Sequence, residues 1–126
     1  MPYTIYDVNT APAAARDILA AAGRTYGFVP NLLGCMADAP ALLKAYATLS
    51  RLFDETSFSA TERQLVLLTP APLEIKALFA AGGYGPQQAL EVVPGVGMKT
   101  LSNYTNHLAG TPLDEAFTGS AWTTAA

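Results

Sequence analysis

Nine prolines and ten glycines are spread through 126 residues, and their positions dictate where regular structure is able to run. Proline is tolerated in the first turn of a helix but breaks its interior, and glycine suits the left-handed residue just beyond a helix end. Between these punctuation marks the apolar residues recur every three or four positions, and strand-like alternation is scarce. From Ala13 to Tyr26 an alanine-rich run carries Ile18, Leu19, Ala22 and Tyr26 at helical spacing, entered through Thr10-Ala11-Pro12 and stopped at Gly27. Pro30 opens a short segment with Leu32, Leu33 and Met36, and Pro40 opens a longer one whose Leu42, Leu43, Tyr46, Leu49 and Phe53 mark one apolar face. The chain reads as all-α, a small bundle of about five to seven helices in a single domain over 1–126.

A fourth helix is expected from Ser59-Ala60-Thr61-Glu62, because Ser59 and Glu62 form a capping box in which each side chain satisfies a backbone N–H near the helix start. Leu65, Val66, Leu67 and Leu68 supply its apolar side. Pro70-Ala71-Pro72 stops it, a short helix over Leu73 to Ala81 follows, and Gly82-Gly83 suits a left-handed cap. Pro86 begins the last helical region, which runs to Leu108 and ends at Gly110-Thr111-Pro112. Inside it lies Pro94-Gly95-Val96-Gly97. An interior proline costs about 3 kcal/mol and a glycine about 1 kcal/mol relative to alanine, so this segment predicts a kink or two helices.

Composition narrows the function classes. Hydrophobic residues make up 51% and charged residues 13%, so the chain is not of the disordered, highly charged kind. A formal net charge of -3 gives no basic footprint for nucleic acid or an anionic membrane. The start, Met1 to Asn9, lacks the basic residues and apolar run of a signal peptide, and no apolar stretch reaches the roughly 20 residues that span a bilayer. The expectation is a soluble cytoplasmic protein with no membrane or nucleic-acid partner. Cys35 is the one cysteine, which excludes an intramolecular disulfide and an internal dithiol.

Three stretches together resemble a known family. They are Tyr26-Gly27-Phe28-Val29-Pro30-Asn31-Leu32-Leu33 with Pro40-Ala41-Leu42-Leu43; Ser59-Ala60-Thr61-Glu62-Arg63-Gln64-Leu65-Val66-Leu67-Leu68-Thr69; and Met98 to Pro112, which contains Asn103-Tyr104-Thr105-Asn106-His107. Their order and spacing are similar to the small peroxidase-type members of the alkylhydroperoxidase-like (carboxymuconolactone decarboxylase) superfamily. The resemblance implies a helical oligomer of peroxide-reducing oxidoreductases. It further implies a Cys-x-x-Cys pair followed by a His, with an acidic residue relaying protons. One thiolate attacks the O–O bond, and the sulfenic acid condenses with its neighbour. In this chain Thr69 is followed at once by Pro70, so relative to the family pattern the dithiol segment is missing between 69 and 70. Glu62 stands in the matching helix as a remnant of the acidic relay, although Gln64 competes for that position. Loss of the central helices leaves an apolar face uncovered, so self-association into a homo-oligomer is expected.

The remaining candidates are sparse. Cys35 sits in Leu32-Leu33-Gly34-Cys35-Met36-Ala37, where a free thiol behaves as a small hydrophobe, and it does not match the family's catalytic cysteines. Asn103 and His107 are four apart and share a helix face with Lys99 one turn earlier, a candidate polar pocket for a small-molecule ligand or hydroperoxide. A single His is a poor metal site, and no metal or cofactor is expected. Asp54-Glu55 and Asp114-Glu115 read as solvated charge, and Gly95-Val96-Gly97 lacks the preceding strand and third glycine of a phosphate loop. Tyr3, Tyr6, Phe117 and Trp122 are candidate interface aromatics. Three readings stay open: a longer polypeptide whose dithiol is intact, a catalytically silent helical scaffold of natural or engineered origin, and a small-ligand-binding protein using Asn103 and His107.

Overall fold

The computed structural model describes residues 3–68 and 80–120. Among these there are five α-helices, α1 (Ala13–Tyr26), α2 (Asn31–Met36), α3 (Pro40–Asp54), α4 (Ala60–Leu68) and α5 (Pro86–Ala109), followed by a 3-10 helix, Glu115–Ser120. No strand occurs among the described residues, so the all-α reading holds. The stop expected at 70–72, most of the helix expected over 73–81, and Trp122 lie outside them. The described residues divide into two compact units, one from within 1–44 and 104–126 and one from within 45–103, so the boundaries fall inside α3 and inside α5.

In the first unit α1 buries Ala15, Leu19 and Ala22 and ends on Gly27, whose φ of 80° is the left-handed conformation that glycine adopts without a steric penalty. Helix α2 buries Leu33, Cys35 and Met36, and Leu43 at the start of α3 is fully covered. No side chain of α2's own N-cap residue, Pro30, satisfies its first turn. The cap comes from far along the chain: Asn31 N–H donates to Asp114 Oδ1 at 2.6 Å, while the Asn31 amide donates to the carbonyls of Pro112 (3.3 Å) and Leu113 (3.4 Å). Phe117 then meets Phe28 edge-on, ring centroids 5.8 Å apart. Asp114 therefore does more than carry the solvated charge expected of it, because its carboxylate fills a donor that the helix leaves open.

The second unit is built on Phe53, Phe58, Val92 and Met98, with Tyr46, Leu49, Val66 and Leu67 packed against them. Phe53 is 1% exposed, and burying such a ring contributes about 3 kcal/mol. Arg63 closes the turn before α4 by donating to the Phe58 carbonyl at 2.6 Å and pairing with Asp54 at 3.3 Å. Helix α4 is less covered than its four apolar residues suggested: Val66 and Leu67 join the core, whereas Leu65 and Leu68 are exposed, Leu68 at 74%.

Of the kink or two helices expected at Pro94–Gly97, the division into two helices is corrected. Helix α5 runs unbroken from Pro86 to Ala109 with Pro94 inside it. The physical reason lies at Gly95. A Cβ placed there would stand 2.8 and 2.9 Å from ring atoms of Phe53 and 3.1 Å from Val66 Cγ1. The missing side chain lets the helix backbone lie directly on the buried ring, and the packing gained there offsets the helix-propensity cost. Gly97 is different, since its nearest neighbour would be Leu49 Cδ1 at 3.8 Å.

Two predictions follow from this packing. Gly95→Ala forces Phe53 to shift and lowers stability by about 1–3 kcal/mol, whereas Gly97→Ala fits and raises it by about 0.5–1 kcal/mol. Chemical denaturation of the two variants beside the parent distinguishes them by sign. In the first unit, Asp114→Ala leaves Asn31 N–H without its acceptor and costs about 1 kcal/mol, while Asp114→Asn retains most of the cap, read from the same unfolding curves.

Candidate functional site

Glu62 is the candidate around which polar groups gather. It stands in the first turn of α4, and the capping box is formed in both directions: Ser59 N–H donates to Glu62 Oε2 at 2.7 Å, and Glu62 N–H donates to Ser59 Oγ at 3.3 Å. The other carboxylate oxygen, Oε1, accepts the hydroxyl of Tyr84 at 2.5 Å. Tyr84 is placed by its neighbours. Gly83 turns the chain with φ 80°, and Gly85 N–H donates to Gln88 Oε1 at 3.0 Å to start α5. The Tyr84 ring lies 6.2 Å from the ring of Phe58, which belongs to the core.

A second carboxylate in the same unit is held in the same manner. Glu91 Oε2 accepts both the hydroxyl (2.5 Å) and the backbone N–H (3.1 Å) of Ser57, while Oε1 accepts from Gln87 at 3.1 Å. Gln88 donates to the Ser57 hydroxyl at 3.3 Å. The loop before α4 is thereby tied to the first two turns of α5 by hydroxyls and amides, with no basic side chain in these contacts.

These donors set the protonation of the carboxylates. The Tyr84 hydroxyl, then the Ser59 backbone and hydroxyl, lower the Glu62 pKa below its ordinary value; Glu62 in return raises that of Tyr84. Glu91 is lowered chiefly by the Ser57 hydroxyl. A carboxylate stabilised in its ionised form accepts hydrogen bonds well and takes up a proton poorly near neutral pH. Chemically, the cluster suits anchoring more than proton relay.

The other sequence candidates lie elsewhere. Cys35 belongs to the first unit, is 6% exposed, and receives a hydrogen bond at its sulfur from the Thr111 hydroxyl at 3.6 Å. Asn103 and His107 are both exposed on α5, one turn apart, and neither lines the pocket at Cys35 or the one at Pro30 and Asp114. Gln64, the competitor for the relay position, is exposed on α4. Of the interface aromatics, Tyr6 donates its hydroxyl to Asp38 Oδ1 at 3.0 Å and Phe117 meets Phe28, so both have intramolecular partners, while Tyr3 is exposed. Among the described residues no three His, Cys, Asp or Glu side chains gather as they would around a metal ion, and no helix is long and apolar enough to cross a membrane.

Tyr84, Ser57, Glu91 and Gln88 were not singled out from the sequence. One signal for them was present: Gly85-Pro86-Gln87-Gln88 places a Gln at the third helical position behind a proline-opened start, as in a capping box. The pairing of Ser57 with Glu91, 34 residues apart, has no local signature. Comparison with protein-family models gives no match, and comparison with curated proteins gives none either.

The shifts carry a sign. Glu62 ionises more readily in the folded protein than unfolded, so the stability it adds is present above the ordinary carboxylate range and disappears as pH falls through its lowered folded value. Tyr84 holds its proton more tightly when folded, so its contribution is present below about 10 and disappears as pH rises through the raised folded value. Glu62→Gln is therefore expected to lower Tm near neutral pH, with the difference from the parent shrinking to nothing on acidification. Thermal unfolding followed by circular dichroism between acid and neutral pH checks this.

Proposed function

We propose that the chain is an alkylhydroperoxidase-like (carboxymuconolactone decarboxylase-like) protein of peroxide-reducing lineage that does not itself carry out dithiol peroxide reduction and acts as a self-associating helical protein. The observation that carries this reading is the single thiol. Reduction of a hydroperoxide by the family's route needs two. The first thiolate attacks the O–O bond, becomes a sulfenic acid and releases an alcohol, and the second condenses with it to form a disulfide and water. Cys35 is the one cysteine in the sequence, and it is buried with a threonine hydroxyl as its polar contact. Glu62, which the resemblance makes a relay remnant, is held as a carboxylate by Tyr84 and Ser59.

Self-association is supported by apolar side chains left uncovered on each unit. The second unit exposes Leu65, Leu68, Leu90 and Val93, and the first exposes Tyr26, Tyr104 and Leu108. Exposed apolar side chains favour contact with another chain where they adjoin one another on the surface.

Hydroperoxide consumption with dithiothreitol as reductant tests the reading, with light scattering on the same sample. The expected result is no consumption above the buffer rate, identical behaviour of Cys35→Ser, and a mass that is a multiple of the protomer. Turnover of hydroperoxide that Cys35→Ser abolishes overturns the catalytic half, and a monomer at all concentrations overturns the assembly half.

A further inference from the structure

The first unit contains a half-open pocket of about 160 Å³, and apart from Leu108 its lining plays no part in the proposed function. Its apolar walls are formed by Ala39 just before α3, Leu42 in the first turn of α3, Leu108 in the last turn of α5, and Tyr3. Cys35 and Thr105 are its most buried lining residues, Thr105 at 8% exposure. One charged residue lines it, Asp38, which is exposed. Asp38 Oδ1 accepts the Tyr6 hydroxyl at 3.0 Å, and its other oxygen has no partner among the described residues. Among the described residues no basic side chain lines the pocket.

We infer that this cavity is a binding site for a small apolar amine, with the hydrocarbon body against Leu42 and Leu108 and the ammonium on the free oxygen of Asp38. The volume suits a body of about one ring. The chemistry of the lining sets the sign: a lone carboxylate with an open acceptor favours a cationic donor and repels a carboxylic acid of the same shape. The inference stands apart from the family lineage, since it uses neither Glu62 nor a thiol reaction.

Benzylamine and benzoate, alike in body and opposite in charge, are the probes, titrated into the full chain and followed by nuclear magnetic resonance. Benzylamine is expected to give saturable shifts centred on residues 35–42 and 105–109, and benzoate none. Asp38→Asn, which keeps an acceptor for Tyr6, is expected to weaken benzylamine about fivefold, the upper range for an exposed charge pair. Ala39→Leu, which fills the space, is expected to remove binding. Shifts that do not saturate, benzoate binding as tightly as benzylamine, or an Asp38→Asn variant with unchanged affinity overturns the proposal. Should Ala39→Leu fail to fold, the comparison of the two probes and the Asp38→Asn arm still decide it.

Discussion

The contact between the Phe53 ring and the bare backbone of Gly95 organises the second unit. A helix that includes a proline and two glycines within four residues carries a local penalty of several kcal/mol, and the sequence alone argues for a break. Tertiary packing reverses that outcome because glycine is the residue that lets the backbone reach a buried aromatic ring. Once α5 is seated there, Val92 and Met98 fall on either side of the contact and complete the core with Phe58. Gly95 is thus unfavourable for its own helix and favourable for the unit.

Polar contacts between distant segments hold the loops in both units. In the first, Asp114 reaches a helix start 83 residues earlier. In the second, Glu91 fastens the loop at Ser57, and Glu62 fastens Tyr84. In each case an acceptor side chain meets an N–H or O–H donor of a distant segment, which fixes a turn that has little apolar surface to bury. The same arrangement bears on chemistry. Hydroxyl donors stabilise the carboxylates in their charged form, which removes Glu62 from the protonation range useful to a relay near neutral pH.

Much of the local structure was legible in the sequence because its signals are local. Ala13–Tyr26 with Gly27 beyond it, the starts at Pro40 and Pro86, and the Ser59–Glu62 box each depend on residues within a turn of one another. What stayed hidden depends on long-range contact. The two-helix alternative at Pro94–Gly97 failed for want of Phe53, 42 positions before Gly95 in the chain. Asp114 looked like solvent charge until Asn31 was beside it, and Tyr84 could be paired with Glu62 only once the chain had folded. Exposure of Leu65 and Leu68 was equally out of reach, since periodicity marks an apolar face without saying what covers it.

The functional reading turns on Cys35. A peroxidatic thiol must be ionised and accessible, whereas Cys35, 6% exposed and among the most buried residues lining the pocket of the first unit, serves as a small hydrophobe. Alkylation by iodoacetamide at neutral pH, followed by intact mass, measures the difference directly. The account predicts a single adduct that forms slowly in the native protein and far faster in concentrated urea. Native labelling as fast as in the unfolded chain would contradict it, since that rate requires a fully exposed thiol.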